Sequence, residues 1–231
     1  VIEYILKPVK VEELTAILKK IKKNLDEEIE QKRNVTLLRE SYIKSLPALR
    51  EHFLNDLIQG GMEETQIEEK LNEYAIDVAG AVKWVIAAIH LEPDEKVDKA
   101  VSLHQQRELI PISVRNLIEE KLEGQYRFIV FHSSFETILL VAIDKDNTQT
   151  GLIALLGDIC KETKKILEVS VTIGVGESCS SLTDLSRPCY TALNALGYRA
   201  ITGSGGVICI GDMEPSGHEK LRFDSRMESE L

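Results

Sequence analysis

The sequence predicts an α+β protein: a long coiled-coil-like helical segment followed by a ferredoxin-like antiparallel sheet with helices. Two observations predict it. Between Leu14 and Phe53 apolar residues recur in sevens, the spacing of a helical seam. From residue 82 onward, runs of strand and helix character follow the order β-α-β-β-α-β-α-β. The first six of those elements are the split βαβ arrangement, an antiparallel sheet backed by helices on one face.

Val1–Leu6 reads as a short buried strand closed by Lys7-Pro8, and a helix opens at Val11-Glu12-Glu13-Leu14 with acidic residues in its first turn, where the helix dipole favours them. One heptad row is Leu14, Ile21, Glu28, Val35, Tyr42 and Leu49; its companion is Leu18, Leu25, Lys32, Arg39, Leu46 and Phe53. The polar members cluster in the middle, which describes a seam with a weak centre. The stripe fits an intermolecular coiled coil, with Leu14, Leu18, Ile21, Leu25, Val35 and Tyr42 facing a second copy, because few apolar segments nearby could cover it. A single amphipathic helix packing on its own domain is the plainer alternative. Pro47 lacks an N–H and is expected to start a new helix, with Ser45 near its cap. That helix should stop at Gly60-Gly61, and another is expected over about 64–74.

Val82–Leu91 has strand character and ends at Glu92-Pro93-Asp94. Helical spacing over 97–123 is interrupted by Pro111. Arg127–His132 and Thr137–Ile143 form a hairpin around Ser133-Ser134-Phe135-Glu136. A helix over 149–167, a strand over 170–176, a helix over 182–197 and a strand over 206–211 complete the order. The boundaries that follow are 1–24, 25–80 (helical linker and dimerisation segment), 81–213 (α+β domain) and 214–231.

The 231 residues have an ordinary globular composition, 43% apolar and 29% charged. A net charge of −10 argues against a nucleic-acid surface, and the six Lys among residues 1–24 have the spacing of a solvated helix face. No apolar run approaches the roughly 20 residues that span a bilayer, so no membrane partner is expected. The four cysteines (Cys160, Cys179, Cys189, Cys209) form no CxxC pair, which points away from zinc and toward reduced, packed thiols in a cytoplasmic setting. The chain opens mid-pattern at Val1 without a Met, as a piece of a longer protein would.

Glu3-Tyr4-Ile5-Leu6-Lys7-Pro8-Val9 with Glu12-Glu13-Leu14 resembles the end of a response-regulator receiver domain. The resemblance implies that Lys7 and a cis Pro8 are the remnant of the receiver switch, and that residues 1–24 are the receiver's last strand and helix. Ser170–Gly176, Tyr190–Leu196 and Val207–Ile210, with Leu46–Gly60 ahead of them, are similar to the degenerate GGDEF-like domains inside YesN-type, AraC-family response regulators. That likeness implies a nucleotide-cyclase-like sheet and a place in a two-component transcription regulator. The partners implied are a second copy, a sensor histidine kinase acting through the receiver, and DNA through an AraC-type helix-turn-helix domain beyond 214–231.

A working diguanylate cyclase needs carboxylates for two divalent metals and a glycine pair that lets the backbone approach the nucleotide. Here the hairpin reads His132-Ser133-Ser134-Phe135-Glu136, and the first strand offers Ile89-His90-Leu91-Glu92. Neither Ser nor Phe supplies what the chemistry requires, so no catalytic, cofactor or metal residue is expected, and no cofactor. A degenerate ligand pocket around His132, Phe135 and Glu136 remains as a second function, a small-ligand or nucleotide sensor. His132 and Glu136 could also pair across the hairpin, although a solvated turn is the plainer reading. Gly203-Ser204-Gly205-Gly206 opens onto a strand, so it reads as a turn in preference to a phosphate loop.

Overall fold

The computed structural model describes residues 11–93, 103–133 and 136–213. Lys7, Pro8, Phe135 and the tail from 214 therefore lie outside the described residues. The chain divides into two units, 1–50 and 51–231, and the division falls within the first helix.

That helix, α1, runs unbroken over Val11–Gln59. Pro47 lies inside it and does not start a second helix. The ring costs one helical hydrogen bond and crowds the preceding turn; the helix continues because the segment after it is anchored by Phe53, Leu54, Leu57 and Ile58, all buried. In the first unit the seam residues are open: Leu18, Leu25, Val35 and Tyr42 are 44–65% exposed. Ile21 is half-buried, and of Leu14 only the backbone is described. Ile29 and Leu38, both exposed, adjoin Glu28 and Arg39, so apolar surface continues past the polar centre of the heptad rows. Glu28 and Lys32 meet at 2.7 Å one turn apart, a pair at the solvent surface.

In the second unit Gly60 and Gly61 take φ of +82° and +92°, and the Gly60 amide donates to the Asp56 carbonyl. These are the left-handed residues expected to end a helix. The remaining elements are α2 (Glu64–Glu73), β1 (Lys83–Pro93), α3 (Leu103–Leu122), β2 (Arg127–Ser133), β3 (Glu136–Ile143), α4 (Gln149–Leu167), β4 (Val169–Cys179), a 3-10 turn (Leu182–Asp184), α5 (Ser186–Gly197), α6 (Arg199–Thr202), β5 (Val207–Cys209) and α7 (Ile210–Met213). Thr148 caps α4 by accepting the Gly151 amide at 3.1 Å. Pro111, like Pro47, sits inside a continuous helix.

The sheet order is β2-β3-β1-β4-β5. The fold is α+β as expected, and two details differ. First, β5 runs parallel to β4, making the sheet mixed. Second, helices cover both faces. Val85, Ala87 and Ile89 of β1 and Val171, Ile173 and Val175 of β4 pack with Val114, Ile118 and Leu122 of α3 and Leu152, Leu156 and Ile159 of α4. The alternate residues of β4 face α5, because a Cβ added to Gly174 would lie 2.3 Å from the Ala192 carbonyl, and one on Gly176 would lie 2.2 Å from the Pro188 carbonyl. Burial on both faces explains why Val85–Ile89 and Ile138–Ala142 show no polar alternation. Trp84 closes the second face at its edge, donating from Nε1 to the Val78 carbonyl at 2.7 Å.

Candidate functional site

The hairpin geometry follows from one residue. The His132 N–H donates to Glu51 Oε1 at 3.1 Å, and its carbonyl accepts from Asn55 Nδ2 at 2.8 Å, both on α1. In an antiparallel strand the N–H and C=O of one residue point the same way, and successive residues alternate. The backbone of His132 therefore points out of the sheet, and that of Ser133 points inward to its partner Glu136. Ser133 and Glu136 are the last paired residues of the two strands.

Glu136 is carried by β3 to the end of β1. His90 Nδ1–H donates to its carboxylate at 3.0 Å from each oxygen. On the other side of the imidazole, Nε2 lies 3.7 Å from Glu92 Oε1, and Arg199 Nε lies 3.4 Å from that same oxygen. The result is an alternating chain of acid and base, Glu136–His90–Glu92–Arg199, drawn from β3, β1 and α6. The side chains of Glu136 and His90 are only 16% and 27% exposed, so their pairing replaces much of the water each would otherwise hold.

The structure does not pair His132 with Glu136. Glu136 bonds His90, not His132, whose Nδ1 instead lies 3.3 Å from Thr137 Oγ1. The register explains why: His132 pairs with Thr137, whereas Ser133 pairs with Glu136. The periodicity of β1 does not announce His90 and Glu92 as partners of a hairpin 46 residues away; strand order and register are needed. Arg199 fell between the expected helix over 182–197 and strand over 206–211 and carried no sequence signal; the structure places it in α6.

Two divalent metals require several free carboxylates. Glu136 is instead hydrogen-bonded to His90 and Glu92 is paired with Arg199, and Ser133 supplies no carboxylate. Among the described residues no group of three or more His, Cys, Asp or Glu is placed to hold a metal ion. Among the described residues, the carboxylates at this end of the sheet are not arranged for a two-metal nucleotide site.

A separate cleft of about 600 Å³ lies at the opposite end of β1, lined by Lys83, Glu177, Ser178, Cys179, Asp184 and Arg187. Arg187 Nη2 bonds Glu177 across it at 2.8 Å. The Cys179 thiol there is pushed up by burial, so it is held as the neutral, poorly nucleophilic form.

Comparison with known proteins agrees with this architecture. The profile of the GGDEF-like domain matches residues 59–198, more than half of the chain, and the chain belongs to that family. Among solved structures, the coiled coil and GGDEF domain of DgcB from Caulobacter crescentus, in complex with c-di-GMP, is 13% identical. The match covers 80% of this chain and 97% of that one, with a TM-score of 0.52. The active GGEEF domain of a diguanylate cyclase from Vibrio cholerae is 10% identical, over 62% of this chain and 88% of that one, with a TM-score of 0.45. At 13% identity, the likeness to the DgcB fragment shows the fold alone. No curated protein matches the chain in sequence. No helix among the described residues is long and apolar enough to cross a membrane.

Proposed function

We propose that the chain is a cyclase-derived regulatory domain that acts by binding and association, without making a cyclic dinucleotide. The observation that carries this reading is the bond between Glu136 and His90 at 3.0 Å. It engages the one carboxylate left in the hairpin, where cyclase chemistry would need it free for a metal. With Glu92 held by Arg199, neither of these two carboxylates is free for a nucleotide's magnesium.

Association is assigned to α1. Leu18, Leu25, Ile29, Val35, Leu38 and Tyr42 are exposed apolar residues on a helix of 49 residues, a pattern a second copy would cover in a coiled coil. The DgcB fragment, whose likeness extends across most of this chain, also carries a coiled coil beside its GGDEF domain. A binding role is assigned to the retained fold, either at the hairpin end around His132, Phe135 and Glu136 or in the cleft at Lys83 and Arg187.

The finer reading is a two-component response regulator that relays phosphorylation from a receiver to an AraC-type DNA-binding domain, with a sensor histidine kinase as partner in the cytoplasm. It rests on Lys7-Pro8 and the sequence order alone. The family match and the solved structures support the cyclase-derived domain and are silent on that context.

The test uses the full chain in two arms. Thermal shift with GTP, c-di-GMP and a metabolite panel is expected to find a stabilising ligand, and sedimentation to find a dimer. A chain that is monomeric at every accessible concentration and shifted by no ligand would overturn the reading.

A further inference from the structure

The hydrogen bonds of α1 to the hairpin point to a mechanical link. His132 is an edge-strand residue whose outward N–H and C=O would otherwise be open to water or to another strand. Both are taken by one helix. Glu51 and Asn55 are four residues apart, one turn, so their side chains leave the same face of α1 and bracket one residue. Asn55 Nδ2 also donates to the Glu51 carbonyl at 2.9 Å, which fixes the amide with its NH₂ toward His132. The same two turns bury Phe53, Leu54, Leu57 and Ile58, so this end of the helix is held in register.

Two further features make the contact more than an edge cap. Pro47 lies four residues ahead of Glu51, and its missing N–H leaves the helix one hydrogen bond short just before the clasp, the place where helices bend most readily. On the far side, His132 pairs with Thr137, and Glu136, next to Thr137, is the residue that bonds His90. From α1 to the Glu136–His90 hydrogen bond the bonded path is continuous: Glu51 and Asn55, His132, the β2–β3 ladder, Glu136, His90.

We infer that Glu51 and Asn55 form a clasp through which a bend or twist of α1 is conveyed to the hairpin and to the Glu136–His90 pair. The clasp is the two-state element that such coupling requires, made or unmade as the last turns of α1 shift against β2. Its opening frees the His132 backbone and loosens the adjoining Ser133–Glu136 strand pair that aims Glu136. This device deepens the proposed regulatory function and rests on that reading, because it gives the long helix a route to the domain's remaining polar centre.

The test is nuclear magnetic resonance on the full chain, with Glu51→Ala, Glu51→Gln, Asn55→Ala and Asn55→Asp variants. The His132 amide is expected to exchange about tenfold faster or more in Glu51→Ala than in the native chain, while Glu51→Gln, which keeps an acceptor, restores protection. Asn55→Asp preserves shape and removes the donor, so it should behave as Asn55→Ala does. In every clasp-breaking variant the ring resonances of His90 should move, with the core amides of Ile86 and Leu140 still protected as the control for folding. A His132 amide that exchanges equally fast in the native chain overturns the clasp. A deprotected His132 with unmoved His90 resonances overturns the coupling and leaves only a local edge cap. Neither readout depends on nucleotide turnover, so failure here is distinct from failure of the proposed function.

Discussion

Replacing Gly174 by Ala probes the contact on which the second face of the sheet depends. The added Cβ would lie 2.3 Å from the Ala192 carbonyl, 2.5 Å from the Leu196 amide nitrogen and 2.9 Å from the Leu196 Cβ. Ordinary contact begins near 3.4 Å, so α5 would have to retreat by about 1 Å. The two closest atoms are backbone, and no rotamer change relieves them. Overpacking of a tight core typically costs about 1–3 kcal/mol, and a helix-backbone clash belongs at the upper end. Stiffening of the unfolded chain by Ala returns about 0.4–1 kcal/mol, leaving a net loss of roughly 2 kcal/mol. For a domain of this size that lowers Tm by about 4–8 °C. Gly157→Ala is the matched control: it lies within α4 with nothing within 4 Å of the added Cβ, and it should stabilise by about 0.5–1 kcal/mol. Urea and thermal unfolding of both variants decide the matter. A Gly174→Ala chain as stable as the native one would refute the packing of α5 on β4 described above.

Leu18→Asp or Leu25→Asp should abolish the concentration-dependent dimer in light scattering while leaving the far-UV spectrum of the second unit in place; an unchanged mass would remove α1 as the interface. Arg127 bonds Asp144 through Nε and Nη2 at 3.1 and 2.8 Å and reaches the Ala79 carbonyl at 2.7 Å. Those hydrogen bonds hold the Asp144 carboxyl below the usual carboxylate range, with burial opposing. A lowered folded pKa contributes stability above the unfolded value of about 3.9, which is lost as pH falls through the folded one. Asp144→Asn should therefore cost less than about 1 kcal/mol at neutral pH, as expected of a half-exposed pair, and flatten the stability profile below about pH 4; an unaltered acid limb would contradict it. The Cys160 thiol is pushed up to about 11, chiefly by burial, so in the folded chain it should resist iodoacetamide at pH 8 until denaturant is added.

Much of the fold was legible in the sequence because periodicity reports burial. The helix Gln149–Leu167 was readable within a residue or so from its apolar spacing. The hairpin strands were readable because turn residues bracket two β-branched runs. Pro47 and Pro111 misled, since one lost hydrogen bond is less than the apolar burial that follows each within its helix. The parallel pairing of β5 and the placement of α5 were hidden for a different reason. Gly174 and Gly176 look like strand-end glycines until a helix backbone is seen against them. The site was legible only by subtraction. Ser133, Ser134 and Glu136 showed what the hairpin had lost, but the replacement, His90 between two carboxylates with Arg199 beyond, is a product of register and strand order. Sequence spacing is blind to both.

The proposal that this GGDEF-like domain makes no cyclic dinucleotide rests on the Glu136 carboxylate being engaged by His90 in place of a metal. Incubating the full chain with GTP and magnesium, at concentrations spanning the dimer transition, and quantifying products by mass spectrometry tests it most directly. No cyclic dinucleotide is expected at any concentration, and none after Glu136→Gln. A cyclic product that grows with the dimer fraction and disappears in Glu136→Gln would contradict the claim.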